Sequence, residues 1–339
     1  MFNLHIIKNV ILLIINKKHS HSSCKFKVFS QKNTTFEQNI AAMLNYLHIQ
    51  KSAKAVGFDL CGVARCQNFE AERAFLTQWL EAGNGSSLDY LKRNIDKRAD
   101  ASLLVAGAKT VIVCGVAYKN SLSAGYPEGC KQKIASYALT TDYHTTIKQM
   151  LQQLCSLLKQ EHPTVSGRVF TDSAPVFEKR YAVEAGLGWI GRQSLLVTPQ
   201  YGSYVLLGVA IVDAQCDHYD SPIQAVGCGQ CRRCVEACPN GAIIDRHIDT
   251  RRCISCATIE RENSSATPLH GWIFGCDECQ RCCPYNIKAP IATNPLFTPT
   301  FDPLTVEWQK IDEAEFALRF ANTPLSRATL QRIKQNCEL

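Results

Sequence analysis

The chain has 339 residues, of which 46% are hydrophobic, a content that excludes a disordered protein and allows two or three folded domains. Its 37 Lys and Arg against 30 Asp and Glu give a net charge of +7, compatible with a nucleic-acid partner but not requiring one. Eleven of its 18 cysteines fall between Cys216 and Cys283. That clustering indicates metal binding rather than a disulfide scaffold and favours a reducing, cytoplasmic compartment.

Residues 1–42 include the most hydrophobic stretch of the chain, at positions 10–15, which is too short to span a bilayer. Lys17 and Lys18 follow this apolar run, and no small-residue cleavage site appears, so a signal peptide is disfavoured. We expect residues 1–42 to be an extension that is disordered or upstream of a true start at Met43, and we expect no membrane span.

Residues 43–215 alternate between helical and strand patterns. The period of the apolar residues predicts helices over 36–56 (ending at Gly57), 69–80, 143–159 and 176–185. Short apolar and β-branched runs predict strands over 58–63, 110–117, 167–171 and 204–212. This alternation predicts an α/β or α+β domain.

The last two segments differ from this domain. Cys, Gly and Pro interrupt residues 216–290 too often for long elements, so we expect a compact metal-binding domain there. Residues 291–339 read as a C-terminal helical segment, with Thr323 and Pro324 beginning its last helix. Leu325, Leu330 and Ile333 are its candidate packed residues.

The first cysteine motif has the C-x2-C-x2-C-x3-C-P spacing of bacterial ferredoxins: Cys228, Cys231, Cys234 and Cys238, followed by proline. In such a run the first three thiolates bind one cluster and the fourth ligates the other cluster. A zinc site, the alternative, is expected to use two separate CxxC pairs. The motif therefore predicts an iron–sulfur cluster.

The second motif contains Cys276, Cys279, Cys282 and Cys283. By reciprocity with the first motif, cluster one is predicted to have the ligands Cys228, Cys231, Cys234 and Cys283. Cluster two is predicted to have Cys238, Cys276, Cys279 and one more. Three cysteines compete for that place: Cys253, Cys256 and Cys282. We favour Cys253, because its segment can fold back over the cluster, whereas Cys282 adjoins Cys283. The prediction is two [4Fe–4S] clusters.

Gly186, Gly188 and Gly191 match the spacing G-x-G-x-x-G of dinucleotide-binding proteins. That fingerprint has to follow a strand and open a helix. Here a predicted helix precedes it and an apolar strand over 194–197 follows it, so we do not expect a bound dinucleotide. We interpret the glycines as allowing the backbone to approach a large flat ligand.

Residues 171–176 and 185–191, together with the cysteine segments 251–255 and 274–280, resemble the motifs of epoxyqueuosine reductases, and the resemblance covers roughly residues 45–335. This family is cobalamin-dependent, carries two [4Fe–4S] clusters and is related to reductive dehalogenases. It reduces epoxyqueuosine to queuosine at the wobble position of tRNA. The resemblance implies a cobalamin-binding catalytic domain over 43–215 and a ferredoxin-like domain over 216–290.

The resemblance also implies roles for single residues. Asp172 corresponds to the general acid that protonates the epoxide oxygen. The corrin contacts correspond to Arg98, Ala135, Asp172, Leu196, Leu207, Asp277 and Glu278. His144 is interpreted as structural or as polar lining, since the family leaves the lower cobalt face without a protein ligand.

Longer members of the family continue into a helical-repeat domain that helps to hold tRNA, which we expect this chain to lack. Arg327, Arg332 and Lys334, expected on the last helix, are candidates for holding tRNA, or else form a solvated face. We expect an external low-potential electron donor and a monomer. Two alternatives remain: a cobalamin and iron–sulfur reductase of a small molecule, and a ferredoxin-type electron carrier, which would leave the α/β domain unexplained.

Overall fold

A computed structural model describes residues 43–85, 88–224, 227–244, 246–260 and 267–338. The predicted extension and the start of the first predicted helix lie outside these ranges. The helices are α1 Tyr46–Val56, α2 Glu70–Glu81, α3 Ile95–Ala99, α4 Tyr143–Glu161, α5 Glu178–Glu184, α6 Arg233–Glu236, α7 Ile254–Ile259, α8 Glu278–Arg281, α9 Pro284–Lys288, α10 Glu313–Phe320 and α11 Leu330–Glu338. In these ranges no helix has the length and apolar character needed to cross a membrane.

The strands are β1 Leu60–Arg65, β2 Thr110–Ala117, β3 Lys133–Ile134, β4 Gly167–Phe170, β5 Trp189–Ile190, β6 Leu196–Val197, β7 Val205–Val212, β8 Ile243–Ile244, β9 His247–Ile248 and β10 Trp272–Phe274. The central sheet has the order β1-β2-β7-β4, and each of its pairings is antiparallel. The two fold classes that the sequence left open are thereby resolved: the domain is α+β.

Strand β2 is buried along its whole length because helices cover both faces of the sheet. Ile112 and Cys114 join the core under α1 and α4, whereas Val111 and Val113 join the core under α5. Successive strand residues point to opposite faces. A strand covered on both faces therefore reads as a continuous apolar run, which is why the prediction over 110–117 matches its bounds.

Helix α4 carries site residues into place. The Asp142 side chain caps its N-terminus by accepting a hydrogen bond from the His144 N–H. Buried Ile147, Leu151 and Leu154 then fix the helix against the sheet. This combination of cap and apolar face sets Tyr143 and His144 in the first turn, at the end of the sheet where β4 stops.

The C-terminal segment packs on the short parallel pair of β10 and β3, through a core that includes Trp308, Phe320 and Ile273. Leu325, Leu330 and Ile333 are buried, as predicted. The predicted start of the last helix is wrong. Thr323 and Pro324 open a 3-10 turn, Pro324–Arg327, and α11 begins only at Leu330 because the backbone at Ala328 is extended.

Candidate active site and cluster-binding cysteines

The structure gathers cysteines of both motifs into a first thiol group, Cys228, Cys231, Cys234 and Cys283. Burial raises the pKa of Cys234, and the charges of Cys228, Cys283 and Cys231 raise it further. Cys283 comes from the second motif, so this group combines the four cysteines that the sequence analysis assigned to cluster one.

A second thiol group consists of Cys238, Cys253, Cys276 and Cys279. Burial raises the pKa of Cys279 most, followed by the charges of Cys276, Cys253 and, further down, Cys238. The Ala242 N–H also donates a hydrogen bond of 3.2 Å to Cys238 Sγ. The structure therefore brings together the four cysteines that the sequence favoured for cluster two.

The two rival cysteines lie in different surroundings. Burial raises the pKa of Cys282 to about 11, and its charged neighbours are Cys234, Cys283 and Cys231, which places it beside the first group. Cys256 is buried on α7, and its charge contributes to the raised pKa of Tyr90, which places it near that residue. Neither is among the neighbours that raise the pKa of Cys279.

The chemistry of these donors fits iron–sulfur clusters. Buried thiols that repel one another's charge resist ionisation, and bound metal cations remove that penalty because the thiolate is the ligand form. Among the described residues, no three His, Cys, Asp or Glu side chains stand close enough together to ligate one metal ion. Thiolates are the ligands of iron–sulfur clusters, so each group of four thiols is a candidate site for one cluster.

A cavity of about 380 Å³ adjoins the second thiol group, and we call it the apolar cavity. Leu196, Leu207, Asp277 and Glu278, four of the predicted corrin contacts, line it together with the four cysteines of that group. Gln193 also faces it, and the Gln193 Nε2 is buried without a hydrogen-bond partner among the described residues. An apolar recess with an unused amide suits a large, mostly apolar ligand with polar substituents.

The other three predicted corrin contacts, Ala135, Arg98 and Asp172, do not line the apolar cavity. Ala135 is buried and does not line the apolar cavity; a Cβ on Gly275 would lie 2.5 Å from its methyl group. Arg98 lines a different cavity, of about 570 Å³, which we call the Asp172 cavity. Tyr137 and Tyr143 line both cavities and so form a shared wall between them.

Asp172 occupies a left-handed backbone conformation, with φ of 56°, two residues after the end of β4. Its N–H donates to Glu178 Oε1 at 2.9 Å, which holds this strained position. Its Oδ2 accepts a hydrogen bond of 2.5 Å from the Tyr143 hydroxyl and lies 3.2 Å from His144 Nε2. Although deep in a recess, 59% of its side-chain surface remains open.

His144 bridges two carboxylates: its Nδ1 lies 2.7 Å from Asp142 Oδ1, and its Nε2 faces Asp172. Ionised carboxylates only accept hydrogen bonds, so these two contacts favour the imidazolium form, in which both ring nitrogens donate. Burial opposes that charge, but the hydrogen bonds to Asp142 and Asp172 outweigh it and raise the pKa of His144.

The surroundings of Asp172 and Glu178 also shift the pKa values of these two acids. The hydrogen bond from His144 lowers the pKa of Asp172 against the opposing effect of burial, and Tyr143 and Arg327 lower it further. Burial, reinforced by the charge of Asp172, raises the pKa of Glu178 to about 7. Of the two groups, His144 therefore holds a proton more strongly than Asp172 does.

Sequence reasoning missed the contact between His144 and Asp172, and it missed Glu178. A signal for the first was present, because an Asp-x-His at the start of a helix can place a histidine beside the next strand end. Glu178 carried no such signal, since its role depends on the turn that brings it back under Asp172.

The three cations proposed to hold tRNA separate in the structure. Arg332 donates to the Ala257 carbonyl at 2.5 Å, and Lys334 donates to the Gln309 carbonyl at 3.1 Å. Arg327, which lies on the 3-10 turn and not on the last helix, lines the Asp172 cavity.

The glycine motif lies in a hairpin and not in a dinucleotide fingerprint. Gly188 begins the β5–β6 hairpin, where an added Cβ would lie 2.1 Å from the Val197 carbonyl oxygen. At Gly191 an added Cβ would lie 2.4 Å from the Gln193 side chain. These two glycines thus permit close approach of the chain to itself, and their interpretation as a ligand approach site stays a prediction.

Two protein families match parts of the chain: "Epoxyqueuosine reductase QueG, DUF1730" over residues 98–173, and "4Fe-4S double cluster binding domain" over residues 227–286. The second range contains both thiol groups. With the α+β domain and its cavities, it defines a two-cluster iron–sulfur oxidoreductase.

Similar proteins agree on the particular family. The epoxyqueuosine reductase of Cyclobacterium marinum is 37% identical over 293 residues, covering 85% of this chain and 94% of that protein. That of Xanthomonas campestris is 36% identical, covering 85% of this chain and 84% of that protein. The structure of epoxyqueuosine reductase from Streptococcus thermophilus matches with a TM-score of 0.75 at 27% identity, covering 86% of this chain and 79% of that one. The chain belongs to the epoxyqueuosine reductase family.

A further solved structure is relevant to the substrate. A crystal structure of epoxyqueuosine reductase with a tRNA-Tyr epoxyqueuosine-modified tRNA stem loop matches with a TM-score of 0.75 at 25% identity. It covers 85% of this chain, and this chain covers 78% of it.

Proposed function

We propose that this protein reduces epoxyqueuosine to queuosine in tRNA, using two [4Fe–4S] clusters and cobalamin, with electrons from an external low-potential donor. The observation that carries the proposal is the pair of cavities on either side of one wall. The second thiol group lines the apolar cavity, and Asp172 lines the other, with Tyr137 and Tyr143 between them.

The thiol groups are the proposed cluster ligands: Cys228, Cys231, Cys234 and Cys283 for one cluster, and Cys238, Cys253, Cys276 and Cys279 for the other. Leu196, Leu207, Asp277 and Glu278 are the residues of this chain that would hold cobalamin, since they line the recess beside the second group. Cobalamin, when bound, supplies a reducing centre of low potential. Arg98 belongs instead with the substrate, because it lines the Asp172 cavity.

The residues that would supply protons line the Asp172 cavity, on the other side of the shared wall. Reduction of an epoxide to an alkene consumes two electrons and two protons and releases water. Asp172 is positioned to protonate the epoxide oxygen, and its carboxylate accepts hydrogen bonds from Tyr143 and faces His144. We place the resting proton on His144, and Asp172 passes on a proton that it draws from the imidazolium. The Asp142 carboxylate holds that imidazolium in place.

An anaerobic conversion assay tests the function. The protein is reconstituted with iron, sulfide and cobalamin, given a chemical reductant and tRNA that carries epoxyqueuosine, and the digested nucleosides are read by mass spectrometry. Queuosine is the expected product. If both clusters and cobalamin are bound and no queuosine forms, the proposal is wrong and a small-molecule reductase becomes the better assignment.

A further inference from the structure

Two arginines from distant parts of the chain lie at the Asp172 cavity. Arg93 follows the 3-10 turn Asp89–Leu91, and Arg327 ends the 3-10 turn of the C-terminal segment. Both side chains line the cavity, and both residues are exposed. Each therefore presents a cation to solvent at the place where a substrate has to enter.

Five other arginines of the described residues are held by carboxylates, and these two are not. Arg73, Arg180, Arg251, Arg281 and Arg319 each form an ion pair with Asp or Glu. In the described ranges neither Arg93 nor Arg327 has a carboxylate within 4.0 Å. Arg327 instead touches the ring of His144. The Arg327 guanidinium thus stands at the ring that faces Asp172, where a bound phosphate would lie beside the reacting nucleotide.

Tyr90 indicates what kind of anion fits. Its ring lines the same cavity and is 45% exposed. Burial raises the pKa of Tyr90 to about 12, so the ring is neutral. An exposed neutral aromatic ring beside arginines is the usual means of binding single-stranded nucleic acid, by stacking on a base and pairing with phosphates.

We propose that Arg93 and Arg327 bind the phosphodiesters on the two sides of the modified nucleotide, with Tyr90 stacking on a neighbouring base. The proposal rests on the proposed function, because it takes RNA as the substrate. The planar guanidinium forms two parallel hydrogen bonds to a phosphate, which suits a fixed register better than a lysine does. The two contacts would hold the nucleotide between them over Asp172.

Binding of a fluorescent anticodon stem loop with guanosine at the wobble position tests this without turnover. The reconstituted protein is titrated by anisotropy at salt concentrations from about 50 to 200 mM. Arg93→Gln and Arg327→Gln are each expected to weaken binding about tenfold. Each should also make the slope of log K against log salt shallower by about 0.7, the value for one phosphate contact in a single strand.

Arg319→Gln is the matched control, because Arg319 is paired with Glu315, and its affinity and slope should equal those of the wild type. Arg93→Lys should keep the slope while losing part of the affinity. The Arg93 side chain forms no hydrogen bond or ion pair with the described residues, so an unchanged slope in Arg93→Gln overturns the proposal even if Arg327→Gln folds poorly. Wild-type protein that binds this RNA but forms no queuosine would contradict the proposed function alone.

Discussion

The Asp277 carboxylate accepts a hydrogen bond of 2.7 Å from the Ser136 N–H, which joins residues 141 positions apart in the chain. Asp277 lies between the proposed cluster ligands Cys276 and Cys279, and Ser136 begins the 3-10 turn that carries Tyr137. Both partners are buried. The bond thus fixes the loop of the second thiol group to the wall between the cavities.

Asp277→Ala is expected to destabilise the protein by about 1–3 kcal/mol, because it leaves the buried Ser136 N–H without an acceptor. Thermal unfolding of the anaerobically reconstituted protein measures the change. Glu278→Gln is the control: its ion pair with Arg281 is partly exposed, so its loss should cost less than about 1 kcal/mol. Equal melting temperatures for the two variants would show that the hydrogen bond to Ser136 does not stabilise the fold.

Asp172→Asn is expected to lower the single-turnover rate by about 10²- to 10⁴-fold, since the amide keeps the shape but cannot deliver the proton. The clusters and cobalamin should remain, because the residue touches neither thiol group. Iron content and the visible spectrum check retention, and rapid-quench analysis of queuosine checks the rate. Turnover close to that of the wild type would remove Asp172 from the mechanism.

The rate should depend on the protonation of His144. Its pKa is raised in the folded protein, so the imidazolium is fully present below the ordinary value of about 6.5 and is lost as pH rises through the raised value. The single-turnover rate is therefore expected to fall on the alkaline side. Asp142→Asn keeps an oxygen that can cap α4 but removes the charge, which should move that fall to lower pH.

The ¹⁵N chemical shifts of the His144 ring measure its protonation directly, without turnover. The pH at which they change should drop in Asp142→Asn. His48, which pairs with Glu161 on α4, provides the control, and His48→Gln should leave the rate profile in place. The proposed proton transfer from His144 to Asp172 is contradicted if Asp142→Asn changes neither the pH dependence of the rate nor the pH at which the His144 shifts change.

Cys253→Ser is expected to lose roughly half of the bound iron, since each of two [4Fe–4S] clusters depends on its own four thiolates. Cys282→Ser is the matched comparison, because Cys282 lies beside the first group without being one of its four proposed ligands. Its iron content should equal that of the wild type. Iron analysis and electron paramagnetic resonance of the reduced proteins distinguish the two, and the reverse result would exchange their roles.

Much of the fold could be predicted because its signals are local. Strand β2 is a continuous apolar run, α4 has an apolar face behind a capping Asp142, and Gly57 ends α1 in a left-handed conformation. The antiparallel sheet order could not be predicted, because β7 pairs with both β2 and β4 across long stretches of sequence. Register of that kind is set by tertiary packing.

The candidate site also has features that local sequence predicts and features that depend on tertiary contacts. Cysteine spacing led to both thiol groups, since short spacers restrict which sulfurs can meet. The protonation of Asp172 could not be predicted, because it depends on His144 and Arg327, which reach it from other elements. The error at Thr323 has a similar cause: proline after threonine is equally compatible with a 3-10 turn, and only the extended Ala328 ends it there.

The shared wall of Tyr137 and Tyr143 has a consequence for side reactions. A centre reducing enough to open an epoxide can also reduce protons to hydrogen. The imidazolium of His144 lies on one face of this partition, and the second thiol group lies on the other. Burial raises the pKa of both tyrosines far above neutrality, so neither phenol is a ready carrier of protons across it. We infer that this wall keeps the proton donors apart from the source of electrons. Protons and electrons would then combine only at the bound substrate.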